Sequence, residues 1–135
     1  MKNVAICGML EVGWDAANSS FEFLCWRQLK GAWQVEMALV PRDFLEMEEA
    51  LDHFKGYHRI FLIRSPNPFA AVWLQDLKLP EGPVVYVFGR PGENLVRYVR
   101  PNEDTVASIN TANTDMMAVS AAGIVLYEHR QSHNH

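Results

Sequence analysis

The chain has 135 residues, 49% of them hydrophobic, and a formal net charge of −4. That length is one domain, large enough to bury roughly two-thirds of its unfolded surface. The acidic balance argues against a broad basic surface for nucleic acid while leaving room for a local one, and no run approaches the ~20 apolar residues of a membrane span.

Residues 3–10 are strand-like, and the apolar run 4–10 predicts a first buried strand. Lys2 ahead of them gives a faint likeness to a signal peptide, but Glu11 and Trp14-Asp15 follow without a cleavage site, so the strand is preferred. Cys7 and Cys25 fall in apolar settings and read as reduced core residues of a cytoplasmic protein. Residues 18–30 predict a helix with Phe21, Leu24, Cys25 and Leu29 as its buried stripe, stopped by Gly31. Residues 33–40 alternate, with Trp33, Val35, Met37 and Leu39 on one face and Gln34 and Glu36 on the other, which predicts a strand with one face partly wet. Pro41-Arg42 ends it. Asp43 and Glu46 have capping-box spacing and open a helix that runs to Phe54. It buries Phe44, Met47, Leu51 and Phe54 and leaves Glu46, Glu48, Glu49 and Asp52 in water. Residues 60–63 form a short continuous apolar run, as in a central parallel strand. Ser65-Pro66-Asn67-Pro68 breaks it, with Pro68 at the first position of a short helix to Leu77.

The last third carries most of the information. A strand at 84–88 leads into the loop Gly89-Arg90-Pro91-Gly92-Glu93-Asn94 and a short helix. A strand at 105–109, a polar loop and a helix at 115–129 follow. The order βαβαβαβαβα predicts one α/β domain over residues 1–135, a mostly parallel sheet with helices on both faces. Loops leaving strand C-termini close together make a ligand crevice in such a sheet, so the Gly89 loop and the 109–116 segment are expected to share one pocket. By itself the Gly89 loop is a turn or a ligand loop. Pro-Gly and Glu-Asn are turn chemistry, the position at a strand C-terminus favours a ligand, and the nucleotide pattern G-x-x-x-x-G-K-[ST] is absent. Arg90, Arg97, Arg100 and Lys78 are a phosphate-facing patch or simply a solvated set. The histidine-rich tail lacks the spaced scaffold of a metal nuclease, and no metal site is expected. Ala118, Ala121, Ala122 and Gly123 give the last helix a face of little bulk, open to close approach by backbone or ligand. Phe21, Phe23, Trp26, Val125 and Tyr127 look too many for one helix pair to bury, which predicts a homodimer through the first or last helix.

Phe88-Gly89-Arg90-Pro91-Gly92-Glu93-Asn94-Leu95 resembles the second motif of the SpoU-type, α/β-knot (SPOUT) RNA methyltransferases, Phe-Gly-x-Glu-x-x-Gly-Leu. Ala118-Val119-Ser120-Ala121-Ala122-Gly123-Ile124-Val125-Leu126-Tyr127-Glu128 resembles their third-motif helix, which often ends in apolar residues followed by Tyr-Glu. The motif likeness covers 84–130; the N-terminal half agrees through its order of elements. The resemblance implies a C-terminal trefoil knot, a homodimer, S-adenosylmethionine bound largely through backbone groups of the knot loops, and methyl transfer to a ribose 2′-hydroxyl of tRNA or rRNA. It points to Phe88, Gly89, Arg90, Ile109, Asn110 and Met116 as cofactor-binding residues.

The polar motif positions depart from the family pattern. The first-motif Asn falls on Asn18, but its Arg position holds Leu24, with Arg27 three residues on. The second-motif Glu position holds Pro91, with Glu93 two residues on. The third-motif Ser-x-Asn falls on Asp115-Met116-Met117, with Asn113 nearby. Arg27, Glu93 and Asn113 are therefore the catalytic candidates. Two other readings stay open: a knot-fold binding or regulatory protein without transferase activity, and an unrelated doubly wound protein that binds a phosphate compound at 89–94.

Overall fold

The computed structural model describes residues 1–11, 16–63, 71–109 and 116–133. In chain order these form β1 (Val4–Met9), α1 (Ala16–Trp33), β2 (Glu36–Val40), α2 (Met47–His53), β3 (His58–Leu62), β4 (Val72–Trp73), β5 (Val84–Phe88), β6 (Thr105–Ser108) and α3 (Ala118–His133). The strands make one sheet in the order β2-β1-β5-β3-β6-β4, and each pairing is parallel. A parallel sheet needs cover on both faces. Successive side chains of a strand point to opposite faces, so Val4 and Ile6 join a core with Trp26, Val125 and Leu126 of α1 and α3. Ala5, Cys7 and Met9 join a second core with Met47, Ala50 and Leu51 of α2 and Leu95 of a 3₁₀ turn, Leu95–Tyr98. Burial pushes the Cys7 thiol up to about 12, with Arg59 pulling the other way, so this thiol is an inert core group.

The predicted α/β class and the helices on both faces match this architecture, while several local expectations do not. α1 runs through Gly31 to Trp33 and ends at Gln34, whose φ is 51°. Trp33 packs against the core one turn beyond Leu29, and that burial outweighs the roughly 1 kcal/mol penalty of a helical glycine. The buried stripe of α1 is also shifted. Phe21 and Leu24 are 65% and 56% exposed, whereas Glu22 and Trp26 are 6% and 0% exposed. Asp43 opens no helix, since α2 begins only at Met47 without a side-chain cap. Asp43 Oδ2 instead accepts the Leu39 N–H at 2.8 Å, and its own N–H donates to the Leu39 carbonyl at 2.7 Å. The residue thus closes the outer edge of β2, an edge strand with backbone groups to satisfy. Ala38, Leu39 and Val40 are buried in succession, so β2 has no wet face at its C-terminal end.

In place of a helix ending at Leu77 stand the two-residue β4 and a 3₁₀ turn, Leu74–Asp76; Pro68 lies outside the described residues. Between β5 and β6 there is likewise only a 3₁₀ turn. α3 starts at Ala118 and packs Ala122, Val125 and Leu126 inward. Its Gly123 faces Leu29 of α1. Trp26 and Val125 are therefore core residues, and the exposed apolar side chains of the two helices are Phe21, Leu24, Ile124 and Tyr127.

Gly8 in β1 makes room for Trp26: a Cβ there would lie 3.0 Å from Trp26 Cη2 and 3.2 Å from Leu39 Cδ2. Gly8→Ala is expected to destabilise the fold by about 1–3 kcal/mol through overpacking. Urea unfolding should show a lower midpoint with an unchanged slope; an unchanged midpoint would mean that the indole moves aside freely.

Candidate functional site

All strands of a parallel sheet end at the same edge, so the segments that follow β1, β3, β5 and β6 converge there. A cavity of about 370 Å³ opens at that edge. Its walls are Met9 and Glu11 at the end of β1, Leu62 and Ile63 at the end of β3, the Phe88–Val96 stretch, Ile109, Met116 and Met117 just before α3, Ala118, Val119 and Ala121 in its first turn, and Glu22 and Trp26 from α1. The volume is at the small end of ligand sites.

The Gly89 loop is both a turn and a cavity wall. The Glu93 N–H donates to the Arg90 carbonyl at 3.0 Å, and Gly92 has φ of 80°. This is a type II turn with Pro91 and Gly92 at its centre, where glycine supplies the positive φ. A Cβ on Gly89 would meet only ordinary contacts with Glu93 and Leu95 at 3.6 Å, so internal packing does not demand glycine there. Arg90 Nη1 donates to the Leu10 carbonyl at 3.2 Å and ties this loop to the end of β1. Glu93 receives Arg97 Nη2 at 2.9 Å. Arg100 pairs with Glu103 and Asp104. Of the arginines read as a possible phosphate patch, only Arg90 lines the cavity; Arg97 is engaged with Glu93, and Arg100 with Glu103 and Asp104.

Phe88, Gly89, Arg90, Ile109 and Met116 thus line one cavity, as does Glu93. Asn110 and Asn113 lie outside the described residues. Arg27 does not join the others. It is exposed on α1 and borders a groove beside β2 with Phe23, Lys30 and Phe54. The cause is helical phase: Glu22 and Trp26, one turn apart, take the cavity side, and Arg27 is rotated about 100° from Trp26.

Glu11, Glu22 and Trp26 were not among the expected site residues. The Glu11 N–H donates to Glu22 Oε2 at 3.0 Å and to Oε1 at 3.3 Å. Burial, and then the charge of Glu22, pushes the Glu11 carboxyl up. Trp26 Nε1 is buried with no hydrogen-bond partner among the described residues. The available signal was a lone carboxylate inside the apolar turn Phe21-Glu22-Phe23-Leu24-Cys25-Trp26. Among the described residues no group of three His, Cys, Asp or Glu side chains is arranged to hold a metal. No helix among them is long and apolar enough to cross a membrane.

Fold and cavity together define a parallel α/β protein with a small-molecule-sized site at the carboxyl edge of its sheet. Solved structures share this fold. A protein from Bacillus anthracis proposed to be an RNA methyltransferase superposes with a TM-score of 0.59 over 97% of this chain and 94% of its own, at 14% identity. An rRNA methyltransferase from Sinorhizobium meliloti gives a TM-score of 0.56 over 96% of this chain, at 13% identity, and this chain spans 55% of its length. At these identities the likeness is one of fold. No family model matches the sequence, and no curated protein matches it.

Proposed function

We propose that the cavity binds S-adenosylmethionine and that the protein is a SPOUT-type RNA methyltransferase acting on a ribose 2′-hydroxyl. The observation that carries this reading is the convergence of the resemblance-marked residues. Phe88, Gly89 and Arg90 from one loop, and Ile109 and Met116 from the other, face a single cavity in a fold shared with proteins named as RNA methyltransferases. The residues fit such a ligand. Leu62, Phe88 and Ile109 offer apolar wall, Gly89 lines the cavity without a side chain, and the buried Trp26 Nε1 lacks an acceptor among the described residues. When bound, the cofactor supplies a methyl group on a sulfonium. The protein's part is to hold it in line with the acceptor oxygen and to keep water out. The trefoil knot, the tRNA or rRNA substrate and the homodimer belong to the same proposal. Phe21 and Leu24 on α1 with Ile124 and Tyr127 on α3 supply an exposed apolar surface for a second copy.

A binding-only knot protein is the second reading, favoured by the placement of the catalytic candidates. Glu93 is engaged by Arg97, and Arg27 is outside the cavity. The phosphate-compound reading has less support, because a four-residue 3₁₀ turn follows the Gly89 loop and offers no α-helix N-terminus for an anion.

Calorimetric titration with S-adenosylmethionine and S-adenosylhomocysteine is expected to give one site per chain. Light scattering is expected to give the mass of two chains. Absence of binding by both nucleosides rejects the cofactor reading, and a monomer at high micromolar concentration rejects the dimer. Binding without transfer of labelled methyl to total cellular RNA selects the binding-only alternative.

A further inference from the structure

The cavity wall at the end of β1 holds charges that the expected cofactor loops do not explain. Glu22 is nearly fully buried, yet among the described residues its only hydrogen-bond donor is the Glu11 N–H. An ionised carboxylate can accept about four hydrogen bonds, so the Glu22 carboxylate has acceptor capacity left for a ligand. The same peptide that donates to Glu22 also accepts from Arg90: its carbonyl, that of Leu10, takes Nη1 at 3.2 Å. Carbonyl oxygen and amide nitrogen of one peptide are about 2.3 Å apart. The carboxylate and guanidinium therefore lie within about 8.5 Å of each other by those bond lengths. Arg90 is also ion-paired with Glu93, its Nε 3.7 Å from the carboxylate and beyond hydrogen-bond distance, so among the described residues Nη1 alone of its donors is hydrogen-bonded. Trp26, one turn after Glu22, also lines the cavity, and its buried Nε1–H has no partner among the described residues. An α-amino acid presents an ammonium and a carboxylate on one carbon. With a charge-assisted bond of about 2.8 Å at each end, it bridges a gap of that order.

We propose that Glu22 and Arg90, held on either side of the Leu10–Glu11 peptide, form a subsite for the α-amino-acid end of an S-adenosyl ligand. Glu22 takes the ammonium, while Arg90 and the Trp26 Nε1–H take the carboxylate. The nucleoside end then lies toward Phe88, Ile109 and Met116. This rests on the cofactor reading above and assigns the ligand's orientation within it.

The test compares S-adenosylhomocysteine with 5′-methylthioadenosine, which keeps the nucleoside and the sulfur but lacks the amino-acid end. The wild type is expected to bind S-adenosylhomocysteine at least about tenfold more tightly. Glu22→Gln keeps an acceptor for the Glu11 N–H but loses the charge. It is expected to weaken S-adenosylhomocysteine by about tenfold or more and to leave 5′-methylthioadenosine unchanged. Equal affinity of the two nucleosides for the wild type overturns the subsite and leaves the cofactor reading standing, as does equal weakening of both by Glu22→Gln. If neither nucleoside binds the wild type, the cofactor reading fails and the subsite falls with it.

Discussion

Asp104→Ala is expected to destabilise the fold by about 3–5 kcal/mol, the range for breaking a buried ion pair from one side. Arg59 Nη2 donates to Asp104 Oδ2 at 2.8 Å, and Arg59 Nε donates to the same oxygen at 3.2 Å. The Asp104 side chain is fully buried, and its oxygens also accept the Arg100 N–H at 2.7 Å and Arg100 Nη2 at 3.2 Å. Arg59 Nη2 also donates to the Tyr98 carbonyl at 2.7 Å. Removing the carboxylate leaves the largely buried guanidinium without its counter-charge. The network joins the start of β3 to the residue before β6, and both strands carry cavity wall at their other ends, so a slack pair there loosens the site as well. Burial alone would raise the Asp104 pKa. The hydrogen bonds from Arg59 and from the Arg100 backbone and side chain outweigh it and hold the group below its ordinary 3.8. The unfolded chain then takes up this proton at higher pH than the folded one. The stabilisation is complete above the ordinary aspartate value and is lost as pH falls through the lower folded value. Asp104→Asn should remove that part of the acid sensitivity. Urea midpoints for wild type, Asp104→Ala, Asp104→Asn and Arg59→Leu, taken at neutral pH and in steps below the ordinary aspartate range, check both statements. A midpoint near wild type in Asp104→Ala, or an unaltered acid slope in Asp104→Asn, would contradict them.

The strands were legible because a parallel strand covered on both faces must be a continuous apolar run. The run at 84–88 became β5 without a shift in either boundary, and the run at 60–63 overlaps β3, which begins two residues earlier and ends at Leu62. The pocket was legible for a topological reason: loops that leave parallel strands meet at one edge. The α1 phase was not legible, because apolar periodicity assumes that a buried face carries no charge. Glu22 breaks that assumption where the helix lines the cavity, and functional sites are where such local rules are expected to fail. The Asp43 spacing is a valid capping-box pattern, but the exposed edge of β2 claims that carboxylate first. β4 has two residues, too few for any period to register.

If the protein is the ribose methyltransferase proposed above, Arg27→Ala is expected to lower methyl transfer to RNA by about 10²-fold or more while leaving cofactor affinity nearly unchanged. A guanidinium is permanently charged, so it stabilises a developing alkoxide but does not accept a proton. Unchanged affinity follows from position, since Arg27 is outside the cavity of its own chain. To act at a ribose over the cavity, it must be supplied by a second copy. The geometry allows this: Leu24, one turn before Arg27, is among the exposed apolar side chains offered to a dimer. Mixed dimers discriminate. Gly89→Trp is expected to block the cavity and to be inactive by itself, and Arg27→Ala to be nearly inactive by itself. If Arg27 serves the neighbouring cavity, re-equilibrated equal mixtures regain roughly a quarter of wild-type activity, because about half the dimers are mixed and each carries one complete site. A silent mixture rejects the exchange across the interface. Undiminished transfer by Arg27→Ala homodimers rejects the residue itself, and no transfer to any RNA by the wild type favours the binding-only protein.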